Sequence, residues 1–375
     1  MEQEWKIISL FRKIESAQDD RGEYRFLDLE NMGFTGEEEE LKQLESLDWL
    51  TGLDLSSNPI KSLSFLKKLK KLKKLSLHSC QIKDISPLQA LENLIYLDIH
   101  NNQITDISPL RGLKNLMELD LDINQITDIT PLQNLRKLVF LGLNRNQISD
   151  ISALQNLREL EYLYMYKNRV DNISPLKEMK KLLYLNLGYN RVADISPLKQ
   201  LKNLLSLRLE ANQITNIESL KNLKNLTELV LYSNQIIDIS PLGNLTQITD
   251  LQLRGNRMID ISPLRNFNKV TELALNHNWI VDISPLAFLT QLKKLDLSAN
   301  QIEDISALES LVNLEKIELV GNRISDISTL AKLLPKLASI NVANNPIAQI
   351  IRNTVTVEKY YMETIHVIRY LKTLS

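Results

Sequence analysis

His78, His100 and Asp122 follow one another at intervals of 22 residues, and Asp98 and Asp120 stand two residues ahead of the last two. Imidazole and carboxylate groups at the spacing of neighbouring strands offer the donors that a divalent ion such as zinc takes. A second series of carboxylates runs Asp84, Asp106, Asp128, Asp150, Asp194, Asp238, Asp260, Asp282, Asp304 and Asp326, with Asn172 and Asn216 in the same column. Calcium collects about six to eight oxygens at one point, which one carboxylate per interval does not supply. An Asp two residues ahead of a Ser closes its own turn through Asx-type bonds, and Asn does so equally. The sequence has no G-x-S-x-G, H-E-x-x-H, glycine-rich phosphate loop or C-x-x-C, so known catalytic signatures are missing. An open sheet also lacks the enclosed pocket that excludes water from chemistry. The chain reads as a non-enzyme with no cofactor and no metal, its histidines being surface groups.

The interval itself is the dominant signal. Asparagines recur every 22 residues from Asn58 to Asn322, with Cys80 in one place, and Asn345 follows after 23, the extra residue lying near Pro335. Ahead of each stands L-x-x-L-x-L, as in Leu94, Leu97 and Ile99 before Asn102. Behind it come Ile104, Ile107, Leu110 and Leu113. The alternating L-x-L places leucines on one face of a short strand and the residues between them on the other. The asparagine sits where the chain turns inward, where its amide can satisfy buried backbone groups. Cys80 at that place reads as a buried, inert thiol. Eight of the eleven prolines follow Ser or Thr, so each Ser-Pro is expected to cap and begin a helical turn.

A period of this length is one coil of a solenoid. The expected fold is a right-handed α/β solenoid of about fourteen coils, with a parallel sheet on the concave face, short helical turns on the convex face and helical caps. Residues 1–49 are assigned to an N-terminal cap with a degenerate first repeat, FLDLENMGF at 26–34. Residues 50–346 form the array and 347–375 a capping segment. Trp5, Ile8, Phe11 and Ile14 give one helical stripe, and Val357, Tyr361, Ile365, Ile368 and Leu371 give another on a helix over roughly 354–373. The acidic run EEEE at 37–40 and the lysines of KKLKKLKK at 67–74 read as solvated surface.

From residue 50 to 346 the repeats, with the phrase N-Q-I-T-D-I-S-P-L at 102–110, resemble the 22-residue class of leucine-rich repeats. That class takes in bacterial internalin-type proteins and the eukaryotic regulator of protein phosphatase 1, and the phrase is most similar to the internalin subgroup. The resemblance implies a protein that binds other proteins through its concave sheet. It leaves a phosphatase regulatory subunit or an internalin-like adhesin as alternatives. The sequence has no secretory leader, no L-P-x-T-G sorting motif and no G-x-x-x-x-G-K-[ST], so a cytoplasmic monomer is expected. A lone cysteine fits a disulfide-free setting, and no stretch approaches the apolar length of a membrane span.

The chain has 375 residues, 43% hydrophobic and 24% charged, with a net charge of -1. That balance argues against a nucleic-acid partner. Specificity must then lie where outward strand positions differ. Asp98, Glu118, Asp120 and Asp122 make an acidic third. Phe140, Tyr162, Tyr164, Tyr166, Tyr184 and Tyr189 make an aromatic centre, with Tyr96 and Tyr232 flanking it. Strands about 4.8 Å apart should set Phe140, Tyr162 and Tyr184 in a contiguous row, and tyrosine clusters of this kind are characteristic of binding surfaces. The matching protein partner carries basic residues against the acids and apolar or Arg groups against the rings.

Overall fold

A computed structural model describes residues 26–35, 41, 43–354 and 364–374. These fall into two compact units, one ending at Asn190 and the other beginning at Arg191. The first carries eight strands: β1 (Phe26–Asp28), β2 (Gly52–Asp54), β3 (Lys74–Ser76), β4 (Tyr96–Asp98), β5 (Glu118–Asp120), β6 (Phe140–Gly142), β7 (Tyr162–Tyr164) and β8 (Tyr184–Asn186). The second carries seven: β9 (Ser206–Arg208), β10 (Glu228–Val230), β11 (Asp250–Gln252), β12 (Glu272–Ala274), β13 (Lys294–Asp296), β14 (Lys316–Glu318) and β15 (Ser339–Asn341). Within each unit successive strands pair in parallel and in sequence order. Tyr96, Glu118, Phe140, Tyr162 and Tyr184 stand in one register column. Each coil travels the same way round, so parallel pairing follows from the repeat, and the crossovers are right-handed. FLDLENMGF supplies β1, which pairs with β2 through Phe26 and Gly52.

The core follows the repeat. Leu94, Leu97, Ile99, Ile104, Ile107, Leu110 and Leu113 are all buried, and the equivalent residues of the other coils are too. Removing each such side chain from water contributes roughly 1.5–3 kcal/mol before chain entropy is set against it. The asparagines close the coils. Asn102 Oδ1 accepts from the N–H groups of Cys80 and Ile82 at 3.0 and 2.9 Å. Its Nδ2 donates to the carbonyls of Leu77, Ile99 and His100. All its capacity is therefore spent on backbone. Cys80 is buried in the same place, its Sγ 3.2 Å from the Leu55 carbonyl. Its thiol does not replace the amide oxygen for the Ile60 N–H, which turns to the backbone carbonyls of Asn58 and Cys80 instead, at 2.8 and 3.1 Å.

The Ser-Pro turns are 3-10 helices rather than α turns, as at Ser86–Ala90 and Ser108–Gly112, and the serine lies inside them. Its expected capping role passes to the aspartate. Asp106 Oδ1 accepts from the Ser108 N–H at 2.8 Å, and the Ser108 hydroxyl donates to Oδ2. Asn172 makes the backbone bond alone, at 2.9 Å from the Ser174 nitrogen. A carboxylate two residues upstream reaches that N–H without leaving the turn, so it wins over the shorter serine. The extra residue near Pro335 is absorbed by a longer 3-10 helix, Ser328–Leu333.

The C-terminal expectation needs correction. In place of one helix over 354–373 there are two, α1 (Pro346–Thr354) and α2 (Thr364–Leu374). Val357 and Tyr361 lie outside the described residues, as do the N-terminal stripe of Trp5, Ile8, Phe11 and Ile14 and the acidic run at 37–40. In α2, Val367 and Leu371 are buried. The Thr364 hydroxyl sits at the last strand, 3.2 Å from the Ile340 nitrogen and 3.3 Å from its carbonyl oxygen. The helix therefore meets backbone groups on β15 that have no following coil to pair with.

Candidate functional site

Three outward columns run across the first unit, because alternate strand residues point away from the core. The first holds Lys74, Tyr96, Glu118, Phe140, Tyr162 and Tyr184. The second holds Ser76, Asp98, Asp120, Gly142, Tyr164 and Asn186. The third, just beyond the strands, holds His78, His100, Asp122, Asn144 and Tyr166.

The aromatic row is contiguous. Tyr162 and Tyr184 stack with ring centroids 5.0 Å apart and planes 7° from parallel. Phe140 lies 6.4 Å from Tyr162 and 5.7 Å from Tyr164 in tilted contacts. Tyr166 and Tyr189 meet edge-on at 5.1 Å. Register alone accounts for this block, since side chains on paired strands face each other at strand spacing. All these rings are part-exposed, and Tyr189 is the most open at 41%.

The two flanking tyrosines do not extend the row. Tyr96 is two strands from Phe140, behind Glu118, and Lys74 covers its ring at 4.7 Å. Burial, with Asp98, Asp120 and Glu118 nearby, pushes its hydroxyl up to about 12. Tyr232 belongs to the second unit, where the Arg254 guanidinium lies 4.7 Å from its ring centroid.

The acidic third is partly structural. Asp98 and Asp120 each accept a backbone N–H two residues on, from His100 and Asp122. Asn186 does the same for Gly188 in their column. His78 and His100 stack at 4.6 Å, and His100 Nδ1 is 2.8 Å from Asp98 Oδ1. Asp122 does not join them as the spacing suggested: Asn144 engages its carboxylate through both the backbone and the side-chain nitrogen. The donors that converge are those of Asp98, His100 and Asp120, within 4.8 Å of one another. These three could hold a divalent ion, although His100 already commits one ring nitrogen to Asp98. Burial raises the Asp120 and Asp122 carboxyls, each further raised by a neighbouring carboxylate; Asp122 reaches about 6. Glu118, by contrast, is exposed.

Sequence reasoning passed over three features. Gly142 in the second column has no side chain, and the Asp120 and Asp122 carboxylates lean over it, Oδ1 of each lying 2.7 and 2.9 Å from where a Cβ would sit; the sequence shows it only as a small residue among large ones. Glu210 in the second unit is 3% exposed, with one carboxylate oxygen unpaired among the described residues. Ile237, Ile259 and Val281 form an exposed apolar ridge at 22-residue spacing, with Trp279 beside it. The signal for the ridge was present, since earlier repeats hold Thr105, Thr127 and Ser149 in that column. Among the described residues no helix is long and apolar enough to cross a membrane.

The model for "Leucine Rich repeats (2 copies)" matches residues 48–90, 92–134, 136–178, 180–222, 224–266 and 312–353, and a leucine rich repeat model matches 268–324. No curated protein matches the sequence. Among solved structures, an internalin (inlF) from Listeria monocytogenes is 38% identical, with 81% of this chain and 89% of that chain covered and a TM-score of 0.75. A leucine-rich repeat protein from Leptospira interrogans is 24% identical over 93% of this chain and 98% of its own, with a TM-score of 0.73. The ectodomain of a plant membrane receptor kinase from Arabidopsis thaliana, in complex with Casparian strip integrity factor 2, is 20% identical over 79% of this chain and 44% of its own, with a TM-score of 0.62.

Proposed function

Because the chain belongs to the leucine-rich repeat family, whose members are in general binding scaffolds rather than enzymes, we propose that it holds a protein partner on the open face of the first unit's sheet. The observation that carries this is the unbroken aromatic block of Phe140, Tyr162, Tyr164 and Tyr184. Rigid rings on a rigid sheet bury area at little entropic cost, and their hydroxyls add directional bonds. The carboxylates of Glu118, Asp120 and Asp122 beside them would steer a basic partner during approach. Tyr166 and Tyr189 extend the same surface toward the turn. A cytoplasmic monomer, with its single thiol reduced, remains our reading of the setting.

Replacing Tyr162, Tyr164 and Tyr184 with alanine tests the placement. These side chains are part-exposed, so the folded content should hold while capture of the partner from lysate of the source cells is lost. Unchanged capture by the triple variant would refute the site. The 38% identity to an internalin favours a second reading, an internalin-like adhesin acting outside the cell. Cell fractionation separates the two, since only the adhesin requires an extracellular pool.

A further inference from the structure

On β6, Gly142 stands between Asp120 of β5 and Tyr164 of β7 in the register. Along its own chain it stands between Phe140 and Asn144, the neighbouring outward residues. A Cβ at this position would meet Asp120 Oδ1 at 2.7 Å and Asp122 Oδ1 at 2.9 Å. Two carboxylate oxygens therefore converge above the glycine. Phe140 and Tyr164, with centroids 5.7 Å apart, form an aromatic corner on the other side.

Elsewhere the protein supplies its own cations to exposed rings: Lys74 covers Tyr96, and Arg254 covers Tyr232. Among the described residues none covers Phe140, Tyr162 or Tyr184. Among the described residues no lysine or arginine forms an ion pair with Asp120 or Asp122. An anionic floor beside an aromatic wall fits one kind of group, a long side chain with an apolar stem and a cationic end. A divalent ion would instead use Asp98, His100 and Asp120.

We propose that the polypeptide partner seats an arginine or lysine side chain over Gly142, its stem against Phe140 and Tyr164 and its charged end at the carboxylates of Asp120 and Asp122. This rests on the reading that the aromatic face binds a protein, and it names the chemistry of the partner's contact residue. Ion-paired hydrogen bonds to two carboxylates would give this contact its direction.

The test pans a phage-displayed library of short random peptides on the full chain. Counter-targets are the Tyr162→Ala, Tyr164→Ala, Tyr184→Ala variant and the variants Asp120→Asn and Asp122→Asn. Asp120→Asn keeps the turn, because Asn186 makes the same backbone bond in that column, so it serves even if Asp122→Asn fails to fold. Peptides that need the tyrosines are expected to carry Arg or Lys beside an apolar residue and to bind Asp120→Asn about tenfold more weakly. Tyrosine-dependent peptides without a cation, or with equal affinity for Asp120→Asn, overturn the cationic contact but leave the aromatic site standing. Tyrosine-dependent binding that requires added zinc or calcium overturns it in favour of a metal. Recovery of no tyrosine-dependent peptide overturns both readings.

Discussion

Asn144 grips both oxygens of the Asp122 carboxylate, its backbone N–H on Oδ1 and its side-chain amide on Oδ2, each at 2.6 Å. Its own Oδ1 then accepts the Tyr166 N–H at 2.7 Å. This link ties the acidic columns to the aromatic ones across three coils. Burial and the adjacent Asp120 still outweigh the two bonds and push the Asp122 carboxyl up to about 6 from 3.8.

That shift has a sign. The folded protein binds the proton more tightly than the unfolded chain, so Asp122 favours folding most below pH 3.8 and loses that contribution as pH rises through about 6. The melting temperature of the native protein should rise relative to that of Asp122→Asn as pH falls from 7 to 5. A difference that does not change with pH would contradict it.

Ile123 takes a left-handed backbone conformation at φ 54°, the place filled elsewhere by Asn101, Gly255 and Gly321. A β-branched residue is strained there, and Ile123 is exposed, so it recovers little by burial. Ile123→Asn should stabilise the protein by about 1 kcal/mol, measured by urea unfolding. A loss of stability would mean that its side chain packs more productively than its exposure implies.

The asparagine column should be graded by what can replace the amide. Asn146 accepts from the Ile126 N–H and donates to the carbonyls of Leu121, Leu143 and Asn144. Asn146→Ala should cost about 3 kcal/mol, since buried backbone groups lose their partners. Asn146→Cys should cost less, because the Cys80 coil shows a thiol donating to carbonyls while the freed N–H finds a backbone oxygen. Equal losses in chemical denaturation would show that the amide oxygen alone matters.

Cys80 is fully buried, and burial pushes its thiol up to about 11. Thiolate is therefore scarce at neutral pH and shielded from reagents. Labelling by a maleimide in native buffer should be far slower than in denaturant. Rapid native labelling would mean that the coil opens locally.

The period, the buried aliphatics, the asparagine bonds and the aspartate turns were all legible in the sequence, because each arises within one coil or between identical places on adjacent coils. The contiguity of Phe140, Tyr162 and Tyr184 followed for the same reason, since register fixes which columns meet. The C-terminal helix divided differently, as α1 and α2 are set by packing on the last coil rather than by a single apolar stripe. Outward side chains escaped the repeat altogether. Asp122 turned to Asn144 rather than to His100, and Tyr232 was covered by Arg254 in the other unit. A side chain that faces solvent takes its position from neighbours 22 residues away, and those neighbours are the residues that a repeat leaves free to vary.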